Sequence, residues 1–266
     1  QAEDGIRDIL TDNNQCTDTA VSPIAVNASP VTPAITGGAG VCEDAELALA
    51  NSAAGGVWSS AHVNIATVNS IGVVKGVKPG TASIRYVLTS ANGCTDTART
   101  DVTVHPVPVV PAITGKPDIC ENETSLFSNA LAAGAWSSTA SALVSINGAT
   151  GLATGLMPGS AEIRYVVTNA HSCSDTAKLP VTVHALPQVT IRPQGPMSIC
   201  TGDTAELSAS SSGNVSYSWH RDGMLLSGSG TSLPAMETGT YRVVVTDQNS
   251  CRDSSALVSV EKYNRP

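Results

Sequence analysis

PGTASIRYVLTSANGCTDTA, residues 79–98, decides the fold, because it returns as PGSAEIRYVVTNAHSCSDTA at residues 158–177. Both copies run Pro-Gly, an alternating apolar segment, a small polar turn, and then a cysteine. Alternation puts every second side chain on one face of a strand. The turn residues, Ser-Ala-Asn-Gly in one copy and Asn-Ala-His-Ser in the other, reverse the chain. Each copy therefore reads as a β-hairpin whose second strand begins at the cysteine.

Landmarks outside this stretch keep the same period. Cys16, Cys94, Cys173 and Cys251 are spaced by 78, 79 and 78 residues, and Cys42, Cys120 and Cys200 by 78 and 80. Trp58 and Trp136 are 78 apart, and Trp219 takes the matching slot in a third copy. Several independent landmarks on one period mean tandem units of roughly 79 residues. GIRDILTDNNQC (5–16) lies on SIRYVLTSANGC (83–94), so the chain is expected to open on the last two strands of a repeat whose front lies upstream. The opening QAEDGIRD (1–8) resembles a translated sequencing adapter.

Each unit breaks into strands. In the second, TSLFSNA (124–130), AWSS (135–138), ALVSI (142–146), GLATGL (151–156), AEIRYVVTNA (161–170) and DTAKLPVTVH (175–184) alternate or run apolar. Gly, Pro, Asn and Ser punctuate them. No segment has apolar residues at helical spacing over ten positions. Short strands at this density, with Trp on the third, predict an all-β fold of tandem immunoglobulin-like β-sandwiches. The Pro-rich linkers SPVTP (29–33) and PVPVVP (106–111) predict that the sandwiches are arranged as a rod. The expected organisation is a two-strand remnant over 1–28, domains over 29–105 and 106–184, and a divergent third domain over 185–266.

Composition narrows the function classes. A formal charge of -8 argues against nucleic acid, which requires clustered Lys and Arg to displace counterions. No apolar run approaches the roughly 20 residues of a membrane-spanning helix. No Ser/His/Asp or Cys/His constellation repeats, so no catalytic residue is assigned, no cofactor is implied, and enzyme activity is not expected.

The first two units, with VWSS or AWSS, a hairpin around Gly, and KPGTASIRY or MPGSAEIRY, resemble the group 2 bacterial immunoglobulin-like domains found in adhesins. The third, with SICTGDTAELSA, SYSWHRDG and GTYRVVVTDQNSC, resembles the related Ig/PKD-like domains repeated in large Bacteroidota surface proteins. The resemblance implies a cell-surface or secreted protein. Such domains serve as stalks, adhesins, filament subunits and enzyme spacers, so fold does not fix function.

Regularly spaced cysteines in small all-β units imply an oxidising compartment. Zinc ligands normally sit two to four residues apart, and none does here, so no metal site is assigned. Two connectivities compete. One closes each unit on itself: Cys42–Cys94, Cys120–Cys173 and Cys200–Cys251, with Cys16 unpaired. The other starts from position in a sandwich. The first cysteine precedes the turn between the first two strands, and the second follows the last hairpin turn, which lies at the opposite end. Eight-residue strands separate those ends by about 25 Å, against a Cα spacing of about 7 Å at most in a disulfide. In a head-to-tail row the two turns of neighbouring units meet instead. That favours a relay, Cys42–Cys173 and Cys120–Cys251, with Cys16, Cys94 and Cys200 awaiting partners elsewhere.

Trp58, Trp136 and Trp219 read as core plugs rather than a sugar platform. Arg85, Arg164 and Arg242 read as strand residues paired with neighbouring acids. His105 and His184 end equivalent strands and read as packing residues at a domain joint. The tripeptide DTA recurs at 18–20, 96–98, 175–177 and 203–205. It resembles the Asp-Ser/Thr-small apolar O-glycosylation signal of Bacteroidota, which makes Thr19, Thr97, Thr176 and Thr204 candidate glycan sites. The competing reading has Asp capping a turn. The expected function is a non-enzymatic extracellular structural protein, a segment of a stalk, fibre or filament. Its partners would be adjacent domains or copies. The alternatives are an adhesin that contacts host or glycan ligands through HRDGMLLSGSGTS (220–232), or spacer domains of a larger secreted enzyme.

Overall fold

The structure is a computed structural model that describes residues 6–265. Of the adapter-like stretch, residues 1–5 lie outside the described residues. The chain divides into two compact units. One runs to Pro108 and takes in Asn169–Cys173; the other holds Val109–Thr168 and continues from Ser174.

In the first unit, β1 (Ile6–Thr11) and β2 (Thr17–Ser22) form an isolated antiparallel hairpin with every residue exposed. The remaining strands are β3 (Thr36–Gly37), β4 (Gly40–Cys42), β5 (Glu46–Ala50), β6 (Val57–Ser60), β7 (Ala66–Val68), β8 (Val73–Gly76), β9 (Gly80–Thr89) and β10 (Thr95–His105). They form two four-stranded sheets, β3-β5-β8-β7 and β4-β10-β9-β6. β4 runs parallel to β10, whereas every other pair is antiparallel. The alternation noted in residues 79–98 turns Ala82, Ile84 and Tyr86 inward; Ala82 and Ile84 join a core with Val41, Leu49, Val74, Val102 and Val104, and Tyr86 packs on Trp58.

The second unit carries β11 (Asp118–Cys120), β12 (Thr124–Leu126), β13 (Ala135–Ser138), β14 (Val144–Ile146), β15 (Leu152–Gly155), β16 (Gly159–Thr168) and β17 (Ser174–His184). Their sheets, β11-β17-β16-β13 and β12-β15-β14, repeat the earlier arrangement around Ile119, Phe127, Trp136, Val144 and Ile163. It continues with β18 (Val189–Arg192), β19 (Met197–Cys200), β20 (Ala205–Ser211), β21 (Val215–Arg221), β22 (Met224–Leu225), β23 (Ser232–Ala235), β24 (Gly239–Asp247), β25 (Arg252–Ser254) and β26 (Val258–Tyr263). Here the sheets are β18-β20-β23 and β19-β26-β24-β21-β22, with β25 paired to β24. Their core is centred on Trp219, Ile191, Leu207 and Val243.

The described residues are all-β, and apart from the β1–β2 hairpin each set of strands closes a sandwich of two sheets, so the fold is a tandem of immunoglobulin-like sandwiches. TSLFSNA, expected as one strand, is strand only over Thr124–Leu126; Ser128 makes an isolated bridge to Thr114. The last strand of the third set is broken between β25 and β26, where Ser255 turns inward. Its N–H donates to the Val243 carbonyl at 2.9 Å and its Oγ accepts the Val243 N–H at 3.1 Å. Among the described residues no helix is long and apolar enough to cross a membrane.

Candidate functional site: the paired cysteine turns

The cysteines sit in two kinds of turn, each built the same way wherever it occurs. The first kind follows Cys42, Cys120 and Cys200. In each, the N–H three residues on donates to the cysteine carbonyl, from Ala45 (3.1 Å), Glu123 (3.0 Å) and Asp203 (2.9 Å). The residue before that donor has positive φ: Asp44 (63°), Asn122 (66°) and Gly202 (94°). Asp, Asn and Gly tolerate this left-handed conformation best, which is why C-E-D, C-E-N and C-T-G are the local sequences. Each of these cysteines ends a short strand held parallel to the final strand of its set, in one register: Cys42 beside His105, Cys120 beside His184, Cys200 beside Tyr263.

The second kind precedes Cys16, Cys94, Cys173 and Cys251. Asp12, Ser90, Asn169 and Asp247 open these five-residue turns. Their side-chain oxygens accept the N–H of the cysteine four residues on, at 2.9, 3.2, 3.1 and 2.8 Å. Their own N–H groups donate to that cysteine's carbonyl. The fourth residue again has positive φ, at Gln15, Gly93, Ser172 and Ser250. A side chain that bonds its own backbone fixes the loop without help from the rest of the fold.

The two kinds meet. Cys42 and Cys173 form a disulfide inside the first unit, with a Cα separation of 5.6 Å. Cys120 and Cys251 form one inside the second, at 5.5 Å. Both bonds join residues 131 apart in sequence. Cys16 and Cys200 are free and exposed; Cys94 is free and half-buried.

Glycine makes room for these turns. A Cβ on Gly76 would lie 2.5 Å from the Cys42 carbonyl oxygen, and one on Gly155 would lie 2.9 Å from that of Cys120. Beside the Cys42–Cys173 bond, His105 stacks on His171 with centroids 3.8 Å apart and planes 9° from parallel. The equivalent His184 instead bonds Asp118 through Nε2 at 3.0 Å. Residue 40 is Gly where residue 118 is Asp, and the His105 ring occupies the space that a Gly40 side chain would fill. Beside Cys120, Glu123 takes the Cys120 N–H at 2.8 Å and Lys116 Nζ at 2.7 Å. The lysine and that amide hold its carboxyl below the usual carboxylate range.

The other candidate residues fall in several places. Trp219 is fully buried and its Nε1 donates to the Gly230 carbonyl at 2.9 Å. Trp136 is buried against Tyr165, and Trp58 is half-buried against Tyr86. The tyrosine hydroxyls hold loops, a role the sequence reading missed although Tyr recurs in SIRY, EIRY and TYR. Tyr86 accepts Gly56 N–H and donates to the Ala53 carbonyl; Tyr165 does the same with Gly134 and Leu131. Arg164 pairs with Glu162 at 2.7 Å, but Arg85 buries its Nε without a partner, so the expected acid pairing is not general.

Thr19 and Thr204 are exposed, while Thr97 and Thr176 lie half-buried on strands. The Asp of the motif bonds the Thr N–H at Asp18 (2.9 Å) and Asp175 (2.7 Å). Asp96 accepts the Thr32 N–H at 2.7 Å and, with a further bond from Thr97, is held below its ordinary range. In the 220–232 loop, Asp222 and Gly223 make the turn with φ of 50° and 84°. Met224 and Leu225 stand exposed on the edge strand β22. Among the described residues no cluster of three or more His, Cys, Asp or Glu is placed to hold a metal.

No family model and no curated protein matches the sequence. Among solved structures, the N-terminal four Ig domains of Dscam1 align over 93% of this chain and 77% of theirs, at 13% identity and a TM-score of 0.27. A three-Ig I-band fragment of titin aligns over 88% of this chain and all of its own, at 12% identity and a TM-score of 0.34. The fold assignment rests on the strand order given above and takes nothing from likenesses at these scores.

Proposed function

We propose that this chain is a segment of a non-enzymatic extracellular structural protein, a cell-surface stalk, fibre or filament built from tandem immunoglobulin-like repeats. The domains would span 29–105, 106–184 and 185–266, behind a leading two-strand remnant over 1–28. The stepped disulfide pattern supports this reading most directly. Each bond spans 131 residues, more than one sequence period, so it links cysteines of successive repeats and not the two ends of one. Tension applied across residues 42–251 would pass through both sulfur bridges and the 53 residues between Cys120 and Cys173, leaving 156 of the 209 residues shielded from extension. Disulfides of this kind persist where the surroundings are oxidising, which fits a secreted protein. The resemblance to group 2 bacterial and Bacteroidota surface domains points the same way, with neighbouring domains or copies as partners and O-glycans on Thr19, Thr97, Thr176 and Thr204.

Force–extension measurements on single molecules test this reading. Full unfolding with and without reductant should differ by roughly 550 Å of contour length, at about 3.5 Å per residue. Equal lengths would overturn it, as would peptide mapping that found Cys42–Cys94, Cys120–Cys173 and Cys200–Cys251. A second reading, an adhesin for host or glycan ligands, draws on Met224 and Leu225, 74% and 68% exposed on a sheet edge. Loss of cell binding on Met224→Lys and Leu225→Lys in the intact chain would favour it.

A further inference from the structure

The three free cysteines are not equivalent. Cys200 already has both its own short strand, β19, and the final strand β26 beside it. Cys16 has only its turn. Cys94 has its turn and something more: its Sγ lies 3.9 Å from the Asn27 carbonyl oxygen. In the disulfide-bonded joint, Cys173 Sγ lies 4.0 Å from the His105 carbonyl oxygen. Asn27 stands 78 residues before His105, in PIAVNASPVTPAITG, the stretch that echoes VTVHPVPVVPAITG. Two of the three parts of the bonded joint are therefore in place around Cys94. The missing part is the short parallel strand that brings Cys42 beside His105.

The site for that strand is open. Val104 and Val183, flanked by their parallel neighbours β4 and β11 and packed into the cores of their sandwiches, are 1% and 2% exposed. Val26, at the matching position, is 89% exposed, and no strand lies beside residues 25–27 among the described residues. We propose that Cys94 is the receiving half of a third joint. Its partner is a cysteine that ends a strand of the Gly-Val-Cys-Glu or Asp-Ile-Cys-Glu kind, supplied by another immunoglobulin-like unit and laid parallel to Ala25–Asn27. Main-chain pairing along 25–27 would supply affinity, a Val or Ile would cover Val26, and the disulfide would lock the strand in register. The inference rests on the stepped-disulfide reading above.

The probe is a synthetic peptide of residues 38–46, GAGVCEDAE, with its cysteine carried as a mixed disulfide with a small thiol. The Cys94 thiolate attacks the peptide sulfur, the peptide–Cys94 bond forms, and the small thiol leaves as thiolate, so no outside oxidant is consumed. Full-length protein is treated with this peptide or with one of scrambled order, and adducts are located by mass spectrometry. The ordered peptide should outreact the scrambled one by about tenfold at Cys94, equivalent to roughly 1.4 kcal/mol of recognition, and by about onefold at Cys16 and Cys200. Val26→Asp should abolish the preference without changing the reaction of Cys94 with the scrambled peptide. A ratio near one at Cys94, or the same preference at Cys16, overturns the proposal. Mapping Cys42–Cys173 and Cys120–Cys251 in the same sample separates the two claims: if those bonds are absent the stepped-disulfide reading fails, and if they are present with no preference only the third joint fails.

Discussion

Cys42 and Cys173 are bonded although 131 residues separate them, and Cys94, only 52 positions from Cys42, is left free. Sequence proximity would have selected the nearer partner. The two turns that meet are rigid by themselves, so what the disulfide adds is closure of a long loop. In the chain-entropy picture a loop of this length contributes about 5 kcal/mol, by restricting the unfolded chain. The paired replacement Cys42→Ser with Cys173→Ser should lower the denaturation midpoint of the first unit by an amount equivalent to about 2–5 kcal/mol. Reductant should then have no further effect on that unit.

Gly76 and Gly155 let a strand pass beside the carbonyl of a bonded cysteine. A methyl at either site meets backbone, which cannot swing aside as a side chain does. Gly76→Ala should destabilise the protein by about 1–3 kcal/mol, the usual range for overpacking. A urea melt of the variant that matched the parent would contradict this.

Glu123 ties Lys116 to the amide of Cys120, and its carboxyl is held below the usual range chiefly by that lysine. A carboxyl depressed in the folded state contributes stability above its unfolded value, roughly pH 4, and that contribution is lost as pH falls through the lower folded value. Both ends are substantially exposed, so the effect is a fraction of a kcal/mol after solvent screening. Glu123→Gln should therefore lower stability slightly at pH 7 and match the parent near pH 2, as read by thermal melts at both pH values.

The three tryptophans should differ in cost. Trp219 is fully buried with its Nε1 bonded, so Trp219→Ala should cost about 3–5 kcal/mol. Trp58 is half-buried, and Trp58→Ala should cost clearly less. Hydrogen exchange in the strands around each site would show whether the losses rank in that order.

Much of this was legible in the residues. The period, the strand content, the tandem sandwich fold and the two classes of turn all follow from local patterns: alternation, turn residues, and cysteines at fixed offsets. Such features depend on a few neighbouring positions, so a linear sequence states them. Three things did not follow. The hydroxyls of Tyr86 and Tyr165 reach loops 30 or more residues away, a relationship with no local mark. His105 and His184 look alike in sequence, yet one stacks on His171 and the other bonds Asp118, because the strand opposite presents Gly in one case and Asp in the other. The placement of the turns at opposite ends of a sandwich favoured the relay Cys42–Cys173 and Cys120–Cys251, the pairs found bonded, but sequence spacing alone did not exclude closure within each unit. What brings Cys173 to Cys42 is the packing of one rigid turn against another across 131 residues of chain, a distance relationship that only the folded molecule specifies.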